Sequence, residues 1–179
     1  MDEWGDSSEN RMKFSLKIVD AVISIREKYN KNNFIIGYRL SPEEPYEDGI
    51  KFDETLKLIK QLSLKPIQFI HISQNNFFGK VHSGENEGSE KLKVIHNLTK
   101  DKVALIGVGG LKTENDINLA IKSGFCEFVA VGMASLLNKD FGMLLKEGKG
   151  YKLNLKFEPE HPEKYSLPKN LWDRFVAKK

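Results

Sequence analysis

The hydrophobic pattern along the chain switches repeatedly between a period of 3.6 residues and a period of two. After a polar, turn-like opening, Phe14, Ile18, Val22, Ile25 and Tyr29 recur at three- and four-residue steps. That spacing predicts an amphipathic helix from about Glu9 to Tyr29, with these five residues as its apolar stripe. Asp6, with Glu9 three residues on, supplies a capping start. Four strand-plus-helix units follow. Strands are predicted at Phe34–Leu40, Ile67–Ile72, Val103–Val108 and Phe128–Val131. Helices are predicted at about Asp53–Leu62, Glu90–Thr99, Glu114–Ser123 and Ala134–Lys146. Ser89 and Thr113 stand at N-cap positions, and Gly124 stands as a C′ glycine. This alternation, with strands roughly 25 to 36 residues apart, predicts a parallel sheet covered by helices.

From Tyr151 onward the pattern dissolves into Pro- and Lys-rich sequence with a last apolar cluster at Leu171, Trp172 and Phe175. No linker divides the chain. Residues 1–150 are expected to form one α/β body, and residues 151–179 an extension whose aromatics pack on its surface.

The strand faces carry the first chemical clue. In the first strand, Phe34, Ile36, Tyr38 and Leu40 form an apolar face suited to lie under helices. The opposite face holds Ile35, Gly37, Arg39 and Ser41 and becomes polar at its C-terminal end. A charged group there requires a partner, either a ligand anion at the top of the sheet or a structural salt bridge. Two later strands end in glycine, at Val108-Gly109-Gly110 and Val131-Gly132-Met133, each followed closely by a helix. Glycine allows close backbone approach, and exposed N–H groups suit a phosphate. In (β/α)₈ barrels the common phosphate site follows strands 7 and 8. Ordinary turn chemistry is the alternative for either glycine pair taken alone.

Composition narrows the class. The chain has 179 residues, enough for one core but short of the roughly 250 that a complete (β/α)₈ barrel needs. Its formal charge of +3 comes from intermingled acids and bases, without the basic stripe that nucleic-acid binding needs. Cys126 is the single cysteine, so no disulfide framework forms and a reducing, cytoplasmic setting is expected. No apolar run approaches a membrane span, and no signal peptide opens the sequence. His71 reads as a packed or hydrogen-bonded strand-end residue, His82 and His161 as loop residues, and His96 as a surface helix residue. No clustered ligands suggest a metal.

The opening Asp2-Glu3-Trp4-Gly5-Asp6-Ser7-Ser8-Glu9-Asn10-Arg11-Met12-Lys13-Phe14 resembles the Asp-x-Tyr-Gly-Gly-Ser-x-Glu-Asn-Arg-x-Arg-Phe signature of Old Yellow Enzyme-type NAD(P)H:flavin oxidoreductases. The later landmarks occur in that family's order. They are Gly37-Tyr38-Arg39-Leu40-Ser41, Ile70-His71-Ile72-Ser73, Gly107-Val108-Gly109-Gly110 and Val131-Gly132. The resemblance implies the C-terminal half of a TIM (β/α)₈ barrel, strands 5 to 8, with FMN across its mouth and NADH or NADPH as reductant. It also implies a small-molecule electron acceptor that receives hydride through flavin N5. By the same resemblance, Arg39 lies beside flavin N1 and the C2 carbonyl, where a fixed guanidinium would stabilise the charge of the reduced ring. Gly109 and Gly110 match the strand-7 phosphate donors, and Gly132 with Met133 matches the strand-8 Gly-Arg pair.

Two departures stand out. The signature's second glycine is Asp6, and the strand-8 arginine is Met133, which removes a charge-assisted contact generally worth roughly 1.5–3 kcal/mol. The family's substrate-anchoring histidine pair and its proton-donating tyrosine belong to the first half of the barrel, so no catalytic residue is assigned in this chain. A half barrel exposes two strand edges. The expected partner is therefore the missing N-terminal half or a second copy of the chain. Two alternatives are a non-catalytic fragment and a phosphate-binding half barrel of another enzyme.

Overall fold

The computed structural model describes residues 3–176; Asp2 of the opening motif lies outside them. Four parallel strands form one sheet in the order β1-β2-β3-β4: β1 (Gly37–Leu40), β2 (Phe69–Ile72), β3 (Ala104–Val108) and β4 (Phe128–Ala130). Helix α1 (Ser8–Lys28) precedes the sheet, and α2 (Phe52–Leu62), α3 (Lys91–Thr99) and α4 (Glu114–Lys122) make the crossovers. After β4 come α5 (Met133–Leu137), α6 (Phe141–Lys146) and, near the end, α7 (Lys169–Val176).

Strand register sorts the side chains by face. Ile70, Ile72 and Leu105 point toward the helices and are fully buried against Ile59 and Leu62 of α2 and Leu92 and Ile95 of α3. Each contributes on the order of 1.5–3 kcal/mol by leaving water. The other face would line the barrel interior. It runs level across the sheet as Arg39, His71, Ile106 and Phe128, and one step lower as Gly37, Phe69 and Ala104. A Cβ on Gly37 would overlap the Phe69 ring, so the missing side chain makes room for that ring over the neighbouring strand.

The opening motif builds structure rather than chemistry. The N-cap of α1 is Ser7, not Asp6: its hydroxyl accepts the Asn10 N–H at 3.1 Å. Asp6 instead takes φ 68°, a left-handed conformation that the family's glycine adopts without strain. Arg11 donates to the Asp6 carbonyl at 2.8 Å and pairs with Glu54 on α2, tying the loop to the next helix.

Several boundaries differ from expectation. Helix α1 buries Val19 and Ile23, whereas Phe14, Ile18, Val22, Ile25 and Tyr29, the anticipated core stripe, are all exposed. Phe34 is also exposed, ahead of a strand that starts only at Gly37. The cap of α3 is Glu90 rather than Ser89. Thr113 caps α4 as expected, in a reciprocal box with Asp116, and Gly124 closes it at φ 65°. The long last helix is broken. Asn138 leaves the helix to donate to the carbonyls of Ala134 and Asn154 and to accept the Asn154 N–H, which fastens the tail at the break. Further along the tail, Trp172 packs on Phe157 and Tyr165. The side chain of Phe175 lies outside the described residues.

Candidate functional site

The C-terminal rim of the sheet gathers the polar groups. Arg39 is exposed on the inner face of β1, and its Nη2 donates to the Ser73 hydroxyl just beyond β2 at 2.6 Å. Among the described residues no carboxylate lies within ion-pair distance of its guanidinium. The structural salt bridge left open by the sequence is therefore absent there. Beside it, His71 faces the same side in register. Burial first, and then the Arg39 charge, hold its imidazole below the usual histidine range, so the ring is neutral at neutral pH. Its Nε2 is buried and has no hydrogen-bond partner among the described residues. Of the packed or hydrogen-bonded strand-end histidine expected, the packed form is found, and the parity shared with Arg39 places it on the inner face.

Gly109 and Gly110 turn the chain off β3 with φ of 146° and 66°. The Gly109 carbonyl accepts the Phe77 N–H at 2.9 Å, and a Cβ there would overlap the backbone of Asn76 and Phe77. The amides of Gly109, Gly110 and Leu111 have no acceptor among the described residues. The end of α4 does not add to them: Asp116 accepts the Lys112 and Thr113 N–H groups at 3.1 and 2.9 Å. A Cβ on Gly132, just past β4, would meet open space, and Met133 is half exposed. A groove of about 120 Å³ joins Met133 to Lys112, Leu155 and Phe157.

None of the defined grooves joins Arg39 to either glycine corner; the inner face between them is open, as expected of half a barrel. Register sets the spacing instead. Arg39 is level with Ile106, two strands away, and Gly109 lies three residues above Ile106. That puts the corner roughly 10 Å across and about 10 Å up from Arg39. A ligand serving both ends must be long.

A second hollow, of about 620 Å³, lies above β1 and β2, between Ser41, Glu43, Ser73, Gln74 and Lys91. Lys91 and Glu43 form a buried ion pair there at 2.6 Å, and His82 Nδ1 lies 3.0 Å from the same carboxylate. His96, expected at a surface, is instead half-buried and bonded to Glu127 at 2.8 Å, low on the barrel wall. Cys126 packs beneath Gly107, and burial pushes its thiol up, which suits packing rather than nucleophilic chemistry. No cluster of metal ligands occurs among the described residues, and none of their helices is long and apolar enough to cross a membrane.

A four-stranded parallel (β/α) sheet with its charged and glycine-bearing rim at the strands' C-terminal ends is half of a (β/α)₈ barrel. The sequence model of the NADH:flavin oxidoreductase / NADH oxidase family matches residues 1–151, and the chain belongs to that family. A probable NADH-dependent flavin oxidoreductase of Bacillus subtilis (strain 168) is 33% identical over 175 residues, covering 98% of this chain and 47% of that protein. The NADH:fumarate oxidoreductase of Klebsiella pneumoniae (strain 342) is 30% identical over 174 residues, 96% of this chain and 18% of its own length. The chain thus spans less than half the length of either relative. Among solved structures, the old yellow enzyme homologue from Zymomonas mobilis superposes with a TM-score of 0.65 at 19% identity, over 96% of this chain and 45% of that one. Morphinone reductase in complex with tetrahydroNAD gives 0.61 at 21% identity, over 96% of this chain and 42% of that one. At these identities the likeness is one of fold.

Proposed function

We propose that this chain is the cofactor-holding half of an FMN-dependent NAD(P)H oxidoreductase. The observation that carries the reading is Arg39: a guanidinium on the inner face with a hydroxyl partner, no carboxylate partner among the described residues, and a glycine corner of amides without acceptors there, within the reach of an elongated ligand. Bound across this rim, FMN would supply hydride transfer between a reduced nicotinamide and a small-molecule acceptor. Arg39 would hold the polar edge of the ring and stabilise negative charge there, Ser73 would fix the guanidinium's direction, and His71 would offer a neutral imidazole beside it. Gly109, Gly110 and Gly132, with Met133 at the wall, would receive the phosphate end. The substrate-anchoring groups would come from the other half of the barrel. The lone Cys126 fits a cytoplasmic setting.

Among the described residues both sheet edges, β1 and β4, lack a neighbouring strand, and Phe34, Ile35 and Phe128 are exposed near them. Such edges demand a cover. That cover is the N-terminal (β/α)₄ half or, failing it, a second copy of the chain. Sedimentation of the chain alone should report a species larger than 20.5 kDa; a stable monomer would contradict the open-edge reading. Co-purified with the preceding half of the Bacillus relative, the chain should carry flavin absorbance and oxidise NADH or NADPH. In that complex Arg39→Ala should lower kcat/KM by about 10²-fold, the scale of losing one preorganised charge contact. Unchanged flavin content and kinetics would remove Arg39 from the site.

A further inference from the structure

We infer that a hollow on the outer wall of the half barrel, between α1, β1 and α2, binds a small uncharged ring molecule that carries a hydroxyl group. The inference goes beyond the flavin reading and does not depend on it. The hollow, of about 250 Å³, lies on the helix-covered side of β1 and is lined there by Tyr38 and Leu40. Arg39, between them, faces the opposite way, so this space is separate from the open mouth. Helix α1 lends Met12 and Ser15, and α2 lends Thr55 and Leu58. Met12, Tyr38, Leu40 and Leu58 offer apolar contact, and a thioether and a tyrosine ring suit an aromatic ligand. The volume falls just below the roughly 300–1,000 Å³ of drug-sized pockets, which limits the ligand to about one ring. Hydroxyls set the polar chemistry. Thr55 is 3% exposed and the Ser8 hydroxyl oxygen is buried, and neither side chain makes a hydrogen bond among the described residues. The hydroxyls of Ser15 and Tyr38, on the same walls, have no partner there either. A buried hydroxyl without a partner has lost water and gained nothing in exchange. A ligand hydroxyl reverses that loss, because it donates to one such oxygen and accepts from another. The charged groups are already engaged: Arg11 pairs with Glu54 across the two helices, and Glu44 accepts the Ile50 N–H at 3.2 Å. A charged ligand would leave water without finding a free counter-charge.

The test is saturation-transfer NMR of the 179-residue chain with phenol, toluene and benzoate, which share one ring and differ in the group it carries. Phenol should bind saturably and about tenfold more tightly than toluene or benzoate. Thr55→Val keeps the shape of the side chain and removes its hydroxyl. Phenol affinity should then fall to the toluene level while toluene binding persists. Ser8→Ala, a smaller change to the wall, should weaken phenol about threefold or more. Ser15→Leu, which fills the hollow from α1, should abolish binding of both rings. No saturable phenol binding, or phenol affinity unchanged by both Thr55→Val and Ser8→Ala, overturns the inference, since water alone then satisfies these hydroxyls. Phenol binding that disappears when the preceding half of the Bacillus relative joins the chain also overturns it, because that half then fills the hollow. None of these measurements involves flavin, so failure of the flavin reading leaves their outcome unchanged.

Discussion

Glu43→Ala should destabilise the chain by about 3–5 kcal/mol, the cost of leaving a buried charge without its partner. The Glu43 side chain is 5% exposed and that of Lys91 9% exposed, with 2.6 Å between their charged atoms. Removing the carboxylate strands the ammonium at the first residue of α3, where the positive end of the helix dipole adds repulsion. His82, 63% exposed, can turn to water and does not compensate. The double substitution Glu43→Ala/Lys91→Met removes both charges and should recover most of the loss, because an apolar side chain fits where the paired charge sat. Urea unfolding midpoints of the parent, single and double variants read this directly. A single variant within 1 kcal/mol of the parent, on the order of an exposed pair, would mean that water reaches the pair.

Gly109→Ala ranks next. The residue holds φ 146°, which costs a side-chain-bearing residue about 1–3 kcal/mol. Its new methyl would also overlap the Asn76–Phe77 backbone, an overpacking of about 1–3 kcal/mol more. The neighbouring Gly110→Ala is the control: its φ of 66° is unfavourable, but its Cβ would meet only the Asn75 carbonyl, at 3.1 Å. Gly109→Ala should therefore lower the urea midpoint by more than Gly110→Ala and break the Phe77 N–H bond to the Gly109 carbonyl. Faster amide exchange at Phe77 would report that break. Equal effects of the two substitutions would show that the β2 loop is not packed on this corner.

The repeat of strand and helix was legible because each unit obeys a local period, and capping at Thr113 and Gly124 followed from local chemistry alone. The inner orientation of Arg39 was equally readable, since strand parity needs only one apolar face to set it. Helix α1 misleads because two interleaved apolar series run along it. Which one is buried depends on the neighbour: α2 and the sheet take Val19 and Ile23, while the larger series stays exposed, with Phe14 edge-on to the Trp4 ring. The break at Asn138 depends on Asn154, sixteen residues on, and carries no local mark. Lys112 is an ordinary loop lysine in the sequence; only the meeting of the β3 corner with the tail places it beside Met133. The lack of a partner for His71 Nε2 is likewise a fact of packing, not of pattern.

The Phe69 ring that packs over Gly37 also shapes the inner face of the sheet. Together with Ala104 it fills the inner-face layer two residues beneath Arg39 and His71. A ligand held by Arg39 would therefore rest on top of these side chains rather than between them. Enlarging residue 37 would displace that ring from its place over β1.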